Sequence, residues 1–513
     1  MNKFQSKFNE YEAFRTFKRC RNYIRQFYPN ELITECILKL NQDYSNNIKL
    51  LIRYQPWHLL LIIKWTILYG DYSSPDRKTI TLNRFNKLIN LLNDLNGKMR
   101  LPAHYSNYFL FFKTLSFQQF WLQENPTYSR IGRQKLLFGY LNQNHKFNLQ
   151  FEETTLVTIN DFIEISLLIL SKFREPKEGV FISVSWFKNI YQTYPQDTVQ
   201  NVLDLLSKDF KEIKTYLKNL TSKKEKISKE YYEQTPLKRY PLLRMNGKYL
   251  CYSPKVLYYS IQNFVYDWLK EINPESFMNK FGSIFEKYVN SLIEYSGFSY
   301  LTEKNLIKLF GTNFKPIDFL IQEKDAFILI DAKGVEMSSL GKVSHQAEII
   351  KNQTKNAVIK GIEQGFETIT KIRESDEFTN IQARKKNIFL ILITYKDLYI
   401  GNGNDLYNFI IREKLDKLVS KFNGKAPIKM SNIYLISIDD FELLIEYLKK
   451  RKIELSKFLL EVIENDSKPE TKKLLLRQHL REKDSNIKSP KLISDEFEKL
   501  FSKFQKVLIN TKA

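Results

Sequence analysis

The spacing of apolar residues changes along this chain of 513 residues, and the change limits its fold more than any other feature of the sequence. As far as about residue 220, apolar residues recur every three or four positions, as they do from Phe85 to Leu95. This spacing predicts amphipathic helices. Later in the chain, short apolar runs alternate with helical stretches, which is typical of a mixed sheet covered by helices. We therefore predict a multidomain protein with a helical part and an α/β part.

The chain is too long for a single hydrophobic core, and we predict three domains. Residues 1–235 are expected to form a helical N-terminal domain, which ends where lysines cluster before Pro236. Residues 236–447 are expected to form a mixed β-sheet core flanked by helices. Residues 448–513 return to helical spacing and are predicted to form a helical C-terminal extension.

Several elements of the α/β part can be placed on the sequence. Asn246-Gly247 lies between two strand-like runs, and both residues tolerate the positive φ of a tight hairpin turn. Helices are predicted at residues 256–272, 276–295 and 343–373. Strands are predicted at residues 306–310, 316–322, 326–332, 387–394 and 432–438.

The chain carries a large positive charge, because 80 Lys and Arg residues face 57 Asp and Glu residues, which gives a formal net charge of +23. A surplus of this kind raises the local concentration of polyanions and favours their capture through counterion release. Nucleic acid is therefore the first partner to expect. The alternative is a solvated lysine surface that binds nothing, and charge alone does not decide between the two.

Cysteine usage and hydropathy indicate the compartment. The three cysteines, Cys20, Cys36 and Cys251, do not have the spacing of a zinc knuckle or of a disulfide framework. The chain does not start with an apolar run of the signal-peptide type, and its most apolar stretch, from Trp57 to Tyr69, is short and interrupted by a lysine. We expect a cytoplasmic protein with no membrane partner.

Two charged residues directly follow a run that is typical of a buried strand. Asp331 and Lys333 come after Phe327 to Ile330. An acid-x-Lys triplet is common in so charged a chain, as Asp76-Arg77-Lys78 illustrates, but the position after an apolar strand distinguishes this one. Side chains two positions apart on a strand share a face, so Asp331 and Lys333 can share one site. The ordinary alternative is a surface ion pair at a strand end.

A second carboxylate lies on the preceding predicted strand. A short turn joins the two strands, so hairpin pairing is expected to bring Asp318 alongside Asp331. Adjacent carboxylates repel each other unless a hard cation neutralises them, and oxygen ligands suit Mg²⁺ or Mn²⁺. Such an ion activates water and polarises a phosphodiester, while Lys333 orients the nucleophile or balances charge in the transition state. The pattern predicts phosphodiester hydrolysis, and the alternative for Asp318 is an ordinary aspartate in a turn or at a sheet edge.

The order of these residues matches a known family. Pro316-x-Asp318, followed after a dozen residues by Asp331-x-Lys333, resembles the motif of the PD-(D/E)xK nuclease superfamily. The sequence departs from the pattern in one place, because Ile317 separates the proline from the aspartate. The resemblance implies a restriction-endonuclease-like mixed sheet flanked by helices.

The resemblance also implies a set of metal ligands. Members of the superfamily carry a glutamate on the helix that precedes the hairpin, and Glu286 has that position here. By resemblance, Mg²⁺ is held by Asp318, Asp331, Glu286 and the backbone carbonyl of Ala332, and Mn²⁺ can substitute for it. The alternative for Glu286 is an ordinary solvated helix residue.

Further residues are implied on the helix after the lysine, which often places a glutamine or a basic residue near the scissile phosphate. Lys351, Gln353 and Lys355 are the candidates for nucleic-acid contacts. The Gln-x-x-x-Tyr pattern of some members is absent at Gln353, because Ala357 stands where the tyrosine would be.

The resemblance implies a metal-dependent nuclease, with DNA favoured as substrate and RNA, such as transfer RNA, as the alternative. A further alternative is a catalytically inactive protein that binds nucleic acid or acts as a scaffold. By analogy with large members of the superfamily, the helical N-terminal domain is expected to sense or select the substrate in a restriction or antiviral defence system. No Gly-x-x-x-x-Gly-Lys-Ser/Thr loop is present, so an energy-driven step would need a partner ATPase or regulatory protein. A homodimer would suit double-strand cleavage.

Overall fold

The computed structural model describes residues 3–99, 105–124, 128–174, 180–220, 227–375 and 387–510. By their contacts the residues divide into two compact units. The first unit contains Met1–Ala103, Thr114–Ile272 and Glu496–Ala513, and the second contains His104–Lys113 and Asn273–Asp495. The predicted boundaries at residues 235 and 447 lie inside these units, and the functional domains drawn from them stay predictions.

The first unit is mostly helical, as the apolar spacing predicts. Its helices are α1 (Lys3–Ile24), α2 (Pro29–Asn41), α3 (Ile48–Arg53), α4 (Pro56–Tyr69), α5 (Leu82–Lys98), α6 (Tyr105–Gln123), α7 (Ser129–Gln134), α8 (Lys146–Thr155), α9 (Ile159–Lys172), α10 (Gln196–Leu205), α11 (Phe210–Leu220), α12 (Ile227–Tyr232) and α13 (Pro254–Ile272). The first residues of α6 belong to the second unit. The stretch from Phe85 to Leu95 lies in α5, where its apolar side chains are buried on one face.

A small four-stranded sheet accompanies these helices. It contains β1 (Phe181–Ser183), β2 (Ser207–Asp209), β3 (Leu242–Met245) and β4 (Lys248–Cys251) in the order β1-β4-β3-β2. The predicted hairpin is confirmed, because β3 and β4 pair antiparallel on either side of Asn246 and Gly247, whose φ angles are 49° and 72°. The strands β1 and β2 were not predicted, since three residues are too few to display an alternating pattern.

The second unit contains a mixed five-stranded sheet. Its strands are β5 (Tyr300–Thr302), β6 (Phe319–Glu323), β7 (Ala326–Lys333), β8 (Asn387–Thr394) and β9 (Ile433–Ser437), and their order in the sheet is their order in the chain. β5, β6 and β7 pair antiparallel, whereas β7, β8 and β9 pair parallel. β7 is therefore an interior strand with an antiparallel neighbour on one side and a parallel neighbour on the other.

Helices of the second unit flank this sheet. They are α14 (Pro274–Ser296), α15 (Glu303–Phe310), α16 (Ser339–Val343), α17 (Ala347–Thr354), α18 (Lys360–Glu374), α19 (Gly403–Leu406), α20 (Arg412–Ser420), α21 (Ile438–Arg451), α22 (Leu455–Asp466), α23 (Leu476–Lys483) and α24 (Lys491–Asn510), the last of which continues into the first unit. α14 contacts β7, α18 contacts β8, and α21 contacts β8 and β9. The described residues thus combine a mostly helical unit with a mixed sheet covered by helices.

Most predicted elements of the α/β part are confirmed, but two strand predictions need correction. Residues 306–310 belong to α15 and not to a strand, because Thr302 and Asn305 cap each other's backbone N–H groups and start a helix there. The strand predicted at residues 316–322 starts only at Phe319. The helix predicted at residues 343–373 starts at Ala347 and contains a π-helical turn at Lys355–Ile359 between α17 and α18.

Among the described residues, no single helix is both long enough and apolar enough to cross a membrane. Taken together, α8 and α9 are long and apolar enough, but the chain bends by 59° between the two helices.

Candidate active site

The hairpin of β6 and β7 brings two aspartates together. Phe319 pairs with Ile330 across the hairpin, so Asp318, one residue before β6, stands opposite Asp331 in β7. The Oδ2 atom of Asp318 accepts a hydrogen bond of 2.7 Å from the backbone N–H of Ala332. The juxtaposition predicted from the sequence is therefore present, and the backbone of the neighbouring strand fixes one oxygen of Asp318.

Asp331 is completely buried, with an exposed fraction of 0%. Its Oδ2 atom lies 2.7 Å from Lys333 Nζ, which confirms that the two side chains share a face. That contact is an ion pair, and the Oδ1 atom accepts no hydrogen bond. A buried carboxylate oxygen without a donor is unfavourable, so the site has a place for a further positively charged group.

The helix α18 holds the lysine and the segment that leads to Asp318. Lys333 Nζ donates to Gln364 Oε1 at 3.0 Å, and Gln364 Nε2 donates to the carbonyl of Pro316 at 3.2 Å. One turn later on the same helix, Thr368 Oγ1 accepts a hydrogen bond from the backbone N–H of Ile317 at 3.2 Å. The two halves of the predicted motif are therefore tied to one helix.

Glycines let α18 approach the sheet closely at this point. A Cβ atom on Gly361 would lie 2.9 Å from Asp331 Oδ2 and 2.9 Å from a methyl carbon of Leu392. A Cβ atom on Gly365 would lie 2.9 Å from a methyl carbon of Leu390. These distances are shorter than ordinary van der Waals contact, so a larger residue at either position would push the helix away from the aspartate.

Glu286 reaches the same region from α14. This helix packs against Tyr395, the residue after β8, since the ring centres of Phe281 and Tyr395 lie 5.0 Å apart in an edge-to-face arrangement. One carboxylate oxygen from each of Glu286, Glu303 and Asp318 lies within 4.8 Å of the others. We call these three residues the acidic cluster. The structure therefore places Glu286 beside Asp318, as expected, and adds Glu303 from the first turn of α15.

The carboxylates of the site raise one another's pKa, and nearby lysines oppose that rise. Burial and, after it, the charge of Asp331 raise the pKa of Asp318 to about 8, although the N–H of Ala332 opposes the rise. Burial and, after it, the charge of Glu303 raise the pKa of Glu286 above its usual value. Both pKa values rise because carboxylates lie close together and away from water. Such an arrangement favours protonation of a carboxylate or the binding of a cation.

Sequence reasoning missed two residues of the site. Gln364 could have been found, because it and Thr368 interrupt the buried apolar face of α18 at a spacing of one helical turn. Glu303 could not, because its position beside Asp318 depends on the sheet: its backbone N–H donates to the carbonyl of Asp318 at 2.7 Å.

Three other residues predicted for the site lie on α17 and on the π-helical turn that follows it. Lys351 forms an ion pair with Glu348 on its own helix, and Gln353 and Lys355 are exposed. Among the described residues, no hydrogen bond or ion pair joins these three side chains to Asp318 or Asp331, so their role in binding nucleic acid stays a prediction. Ala332 contributes its N–H to Asp318, and the role of its carbonyl as a metal ligand also stays a prediction.

Comparison with known proteins adds no relative. No protein-family model, no curated protein and no solved structure matches the chain. The function must therefore be inferred from the residues and the geometry of this site.

Proposed function

We propose that the second unit is a metal-dependent nuclease of the PD-(D/E)xK type that hydrolyses phosphodiester bonds, with DNA favoured over RNA. The observation that carries the proposal is the meeting of Asp318, Asp331 and Lys333 at one end of the β6–β7 hairpin. A mixed sheet flanked by helices, with this hairpin inside it, supports the same proposal.

The residues present suit a hard divalent cation. The Oδ1 atom of Asp331 is buried and accepts no hydrogen bond, and Asp318 and Glu286 supply further carboxylate oxygens nearby. Oxygen ligands of this kind prefer Mg²⁺, and Mn²⁺ accepts the same set. Asp318, Asp331 and Glu286, with the carbonyl of Ala332, would hold the ion.

A bound Mg²⁺ would polarise the phosphodiester and make an attacking water more acidic. Lys333 carries its positive charge between Asp331 and Gln364, and these two contacts fix its Nζ atom. From that position the lysine orients the attacking water or offsets the negative charge that develops on the phosphate oxygens. The water oxygen forms a bond to phosphorus, the bond from phosphorus to the leaving oxygen breaks, and the proton lost by the water balances the one that the leaving oxygen gains.

The wider setting is part of the same proposal. The net charge of +23 supports a polyanionic substrate, and attack on phosphorus with metal assistance does not require a 2′-hydroxyl, so RNA is the alternative substrate. We place the protein in the cytoplasm, in a restriction or antiviral defence system, where it acts as a homodimer or with a partner ATPase or regulatory protein. The helical N-terminal region senses or selects the substrate.

The proposal is tested by cleavage of plasmid DNA, single-stranded DNA and transfer RNA by the purified full chain, with Mg²⁺, Mn²⁺ or EDTA. Lys333→Ala removes the lysine. Lys324→Ala is the matched control, because it removes an exposed lysine from the turn at the other end of the same hairpin. Metal-dependent cutting that Lys333→Ala loses and Lys324→Ala keeps supports the nuclease. If the wild-type protein binds these substrates but cuts none of them, the inactive binder is the correct alternative.

A further inference from the structure

A pocket that lies wholly within the first unit has no role in the proposed function. Residues of α4, of the C-terminal part of α6 and of the segment 230–236 line it, and its empty volume is about 320 Å³, including the open mouth. Sites for small molecules measure about 300–1,000 Å³, so this pocket has room for a small ligand. The side chains that line it indicate the chemistry of that ligand.

The charged residues that line the pocket carry a net negative charge. Lys64 is 4% exposed and forms ion pairs with both Glu230 and Glu233. Burial lowers the pKa of Lys64, but the two glutamates outweigh burial and raise it above its usual value, so the ammonium group stays charged. Two carboxylates and one ammonium group leave a formal charge of −1. A positively charged ligand would balance that charge.

Glu233 is the carboxylate of this group that a ligand reaches most easily. Its side chain is 30% exposed, compared with 7% for Glu230, whose Oε1 atom also accepts a hydrogen bond of 2.9 Å from the indole N–H of Trp65. A carboxylate offers about four positions to hydrogen-bond donors. Glu233 can therefore hold Lys64 and accept a hydrogen bond from a ligand at the same time.

Two half-buried tryptophans, Trp57 and Trp121, add aromatic surface to the same pocket. Trp121 donates its indole N–H to the carbonyl of Gln118 at 3.1 Å, and its ring centre lies 4.6 Å from that of Tyr259. The ring of Trp57 meets that of His58 at 6.1 Å in an edge arrangement. The face of an indole attracts cations more strongly than other aromatic rings do. The pocket therefore combines a net negative charge with two surfaces that favour a cation.

Other classes of ligand suit this lining less well. Phosphate and carboxylate groups would meet a net negative charge. Mg²⁺ and Ca²⁺ bind through oxygen ligands, whereas much of the lining consists of the two indoles and of Leu60, Leu61 and Leu122. A neutral nucleobase can stack on an indole, but it would leave the charge of the pocket unbalanced. An organic cation is the ligand that satisfies both features of the lining.

Among organic cations, the pocket favours a guanidinium group over an ammonium group. A guanidinium group is planar and stacks on aromatic faces, and it presents several N–H donors to a carboxylate. It is also more weakly hydrated than an ammonium group, so less free energy is needed to remove it from water.

We propose that this pocket binds the guanidinium group of a small organic cation, which stacks on Trp57 and Trp121 and donates hydrogen bonds to Glu233. The site goes beyond the proposed nuclease and does not depend on it, because none of its residues belongs to the candidate active site.

The test is isothermal titration calorimetry of the full chain with methylguanidinium, in EDTA and at constant ionic strength. We expect saturable binding at one site per chain, in the millimolar range because so small a ligand makes few contacts. N-methylurea has a similar planar shape and N–H donors but no charge, and it should bind at least about tenfold more weakly. Cytidine, the probe for a base-binding pocket, should also bind more weakly than methylguanidinium.

Glu233→Gln removes the net negative charge with little change in size. Lys64 keeps its ion pair of 2.9 Å with Glu230 in this variant, so the pocket should stay folded. We expect it to bind methylguanidinium at least about tenfold more weakly. Glu35→Gln is the matched control, because Glu35 also pairs with a lysine, Lys39, and its side chain is 24% exposed, close to the 30% of Glu233. The control should bind methylguanidinium as the wild-type protein does.

Trp57→Leu removes one aromatic surface and keeps an apolar side chain. We expect about fivefold weaker binding of methylguanidinium, and Trp57→Phe, which keeps an aromatic ring, should recover part of the loss. Trp186→Leu is the control, because Trp186 belongs to the same unit, is 42% exposed and does not line the pocket. Circular dichroism of each variant checks that it is folded.

Several results would overturn the proposal. They are a lack of saturable binding by the wild-type protein up to about 10 mM methylguanidinium, equal affinities for methylguanidinium and N-methylurea, and unchanged binding in Glu233→Gln. Tighter binding of cytidine than of methylguanidinium would identify a base-binding pocket instead. The titration contains neither metal nor nucleic acid, so its outcome does not depend on whether the second unit is a nuclease.

Discussion

Two buried groups of acidic residues in the second unit differ in how their negative charge is balanced. At one, near the ends of β8 and β9, Arg477 is only 3% exposed and donates to both oxygens of Asp397 at 3.0 and 2.8 Å and to Asp440 at 2.9 Å. At the other, Asp331 is equally buried but keeps an oxygen that accepts no hydrogen bond. The first group is neutralised within the chain, whereas the second is left short of positive charge.

The causes of the pKa shifts show the same difference. Burial raises the pKa of Asp440, and the next strongest influence, the guanidinium of Arg477, opposes that rise. Burial also raises the pKa of Asp318, but there the next strongest influence, Asp331, adds to the rise. A buried carboxylate with its own arginine therefore favours a structural role, whereas converging carboxylates without an arginine favour a site for an external cation.

The largest effect is expected from the neutralised group. Arg477→Met leaves Asp397 and Asp440 without their shared partner, and it should lower the free energy of unfolding by about 3–5 kcal/mol. Urea denaturation of the full chain measures it. Arg481→Met, on the exposed side of the same helix one turn later, should change the value by less than about 0.5 kcal/mol. Equal losses of stability in the two variants would show that Arg477 does not stabilise the fold by neutralising Asp397 and Asp440.

The opposite behaviour is expected at the candidate active site. Asp331→Asn should reduce the rate of the proposed Mg²⁺-dependent cleavage at least about 100-fold, since it removes a charged side chain that we propose as a ligand of the ion. In EDTA the same variant should lose much less stability than Arg477→Met, because the weakened contact with Lys333 is offset by the removal of a like charge beside Asp318 and Glu286. A loss of stability as large as that of Arg477→Met would show that Asp331 is structural.

The pH dependence of stability gives a further test of the ionisation of Asp318. The carboxyl of Asp318 ionises near pH 8 in the folded protein and at about 4 in an unfolded chain, so between these values the folded state retains a proton that the unfolded state has lost. Without metal, the free energy of unfolding should therefore fall as the pH rises, by up to about 1.4 kcal/mol per unit, and level off above about pH 8.

This contribution is isolated by denaturing the wild-type protein and Asp318→Asn in EDTA at pH 6 and pH 7. From pH 6 to pH 7 the wild-type protein should lose more stability than the variant. The variant should still lose some, because Asp440 titrates in both proteins. Parallel behaviour of the two proteins would count against the unusual ionisation of Asp318.

The smallest effect is expected from the residue that positions the lysine. Gln364→Leu removes the acceptor of Lys333 and the donor to Pro316, and it should slow cleavage by about tenfold while it changes the free energy of unfolding by about 1 kcal/mol. Thr370→Val is the control, because the Thr370 hydroxyl donates within α18 to the carbonyl of Phe366. Similar rates in the two variants would show that Lys333 needs no such support.

The parts of the site that the sequence revealed share one property. Asp318 directly precedes the apolar strand β6, and Asp331 and Lys333 lie at the end of the apolar strand β7. A short turn pairs these strands, so the local pattern was enough to predict that the three side chains meet. β8 was likewise predicted at its observed bounds, because its apolar run is continuous.

What could not be predicted depends on packing between distant segments. Glu303 reaches Asp318 only through pairing of β5 with β6, and the strand expected at residues 306–310 concealed the helix that carries it. The apolar residues there fit a helical period as well as a strand. Arg477 lies 80 residues beyond Asp397, and no local pattern connects them.

The turn of the β6–β7 hairpin has a practical consequence for protein engineering. Lys324 and Asp325 form this turn, they are exposed, and they lie at the opposite end of the hairpin from Asp318 and Asp331. The turn contributes to the register of the two strands, but their buried apolar residues also set it and would stay in place after an insertion in the turn. A fluorescent reporter or a short sensor peptide inserted between these two residues should therefore leave the geometry of the candidate active site intact.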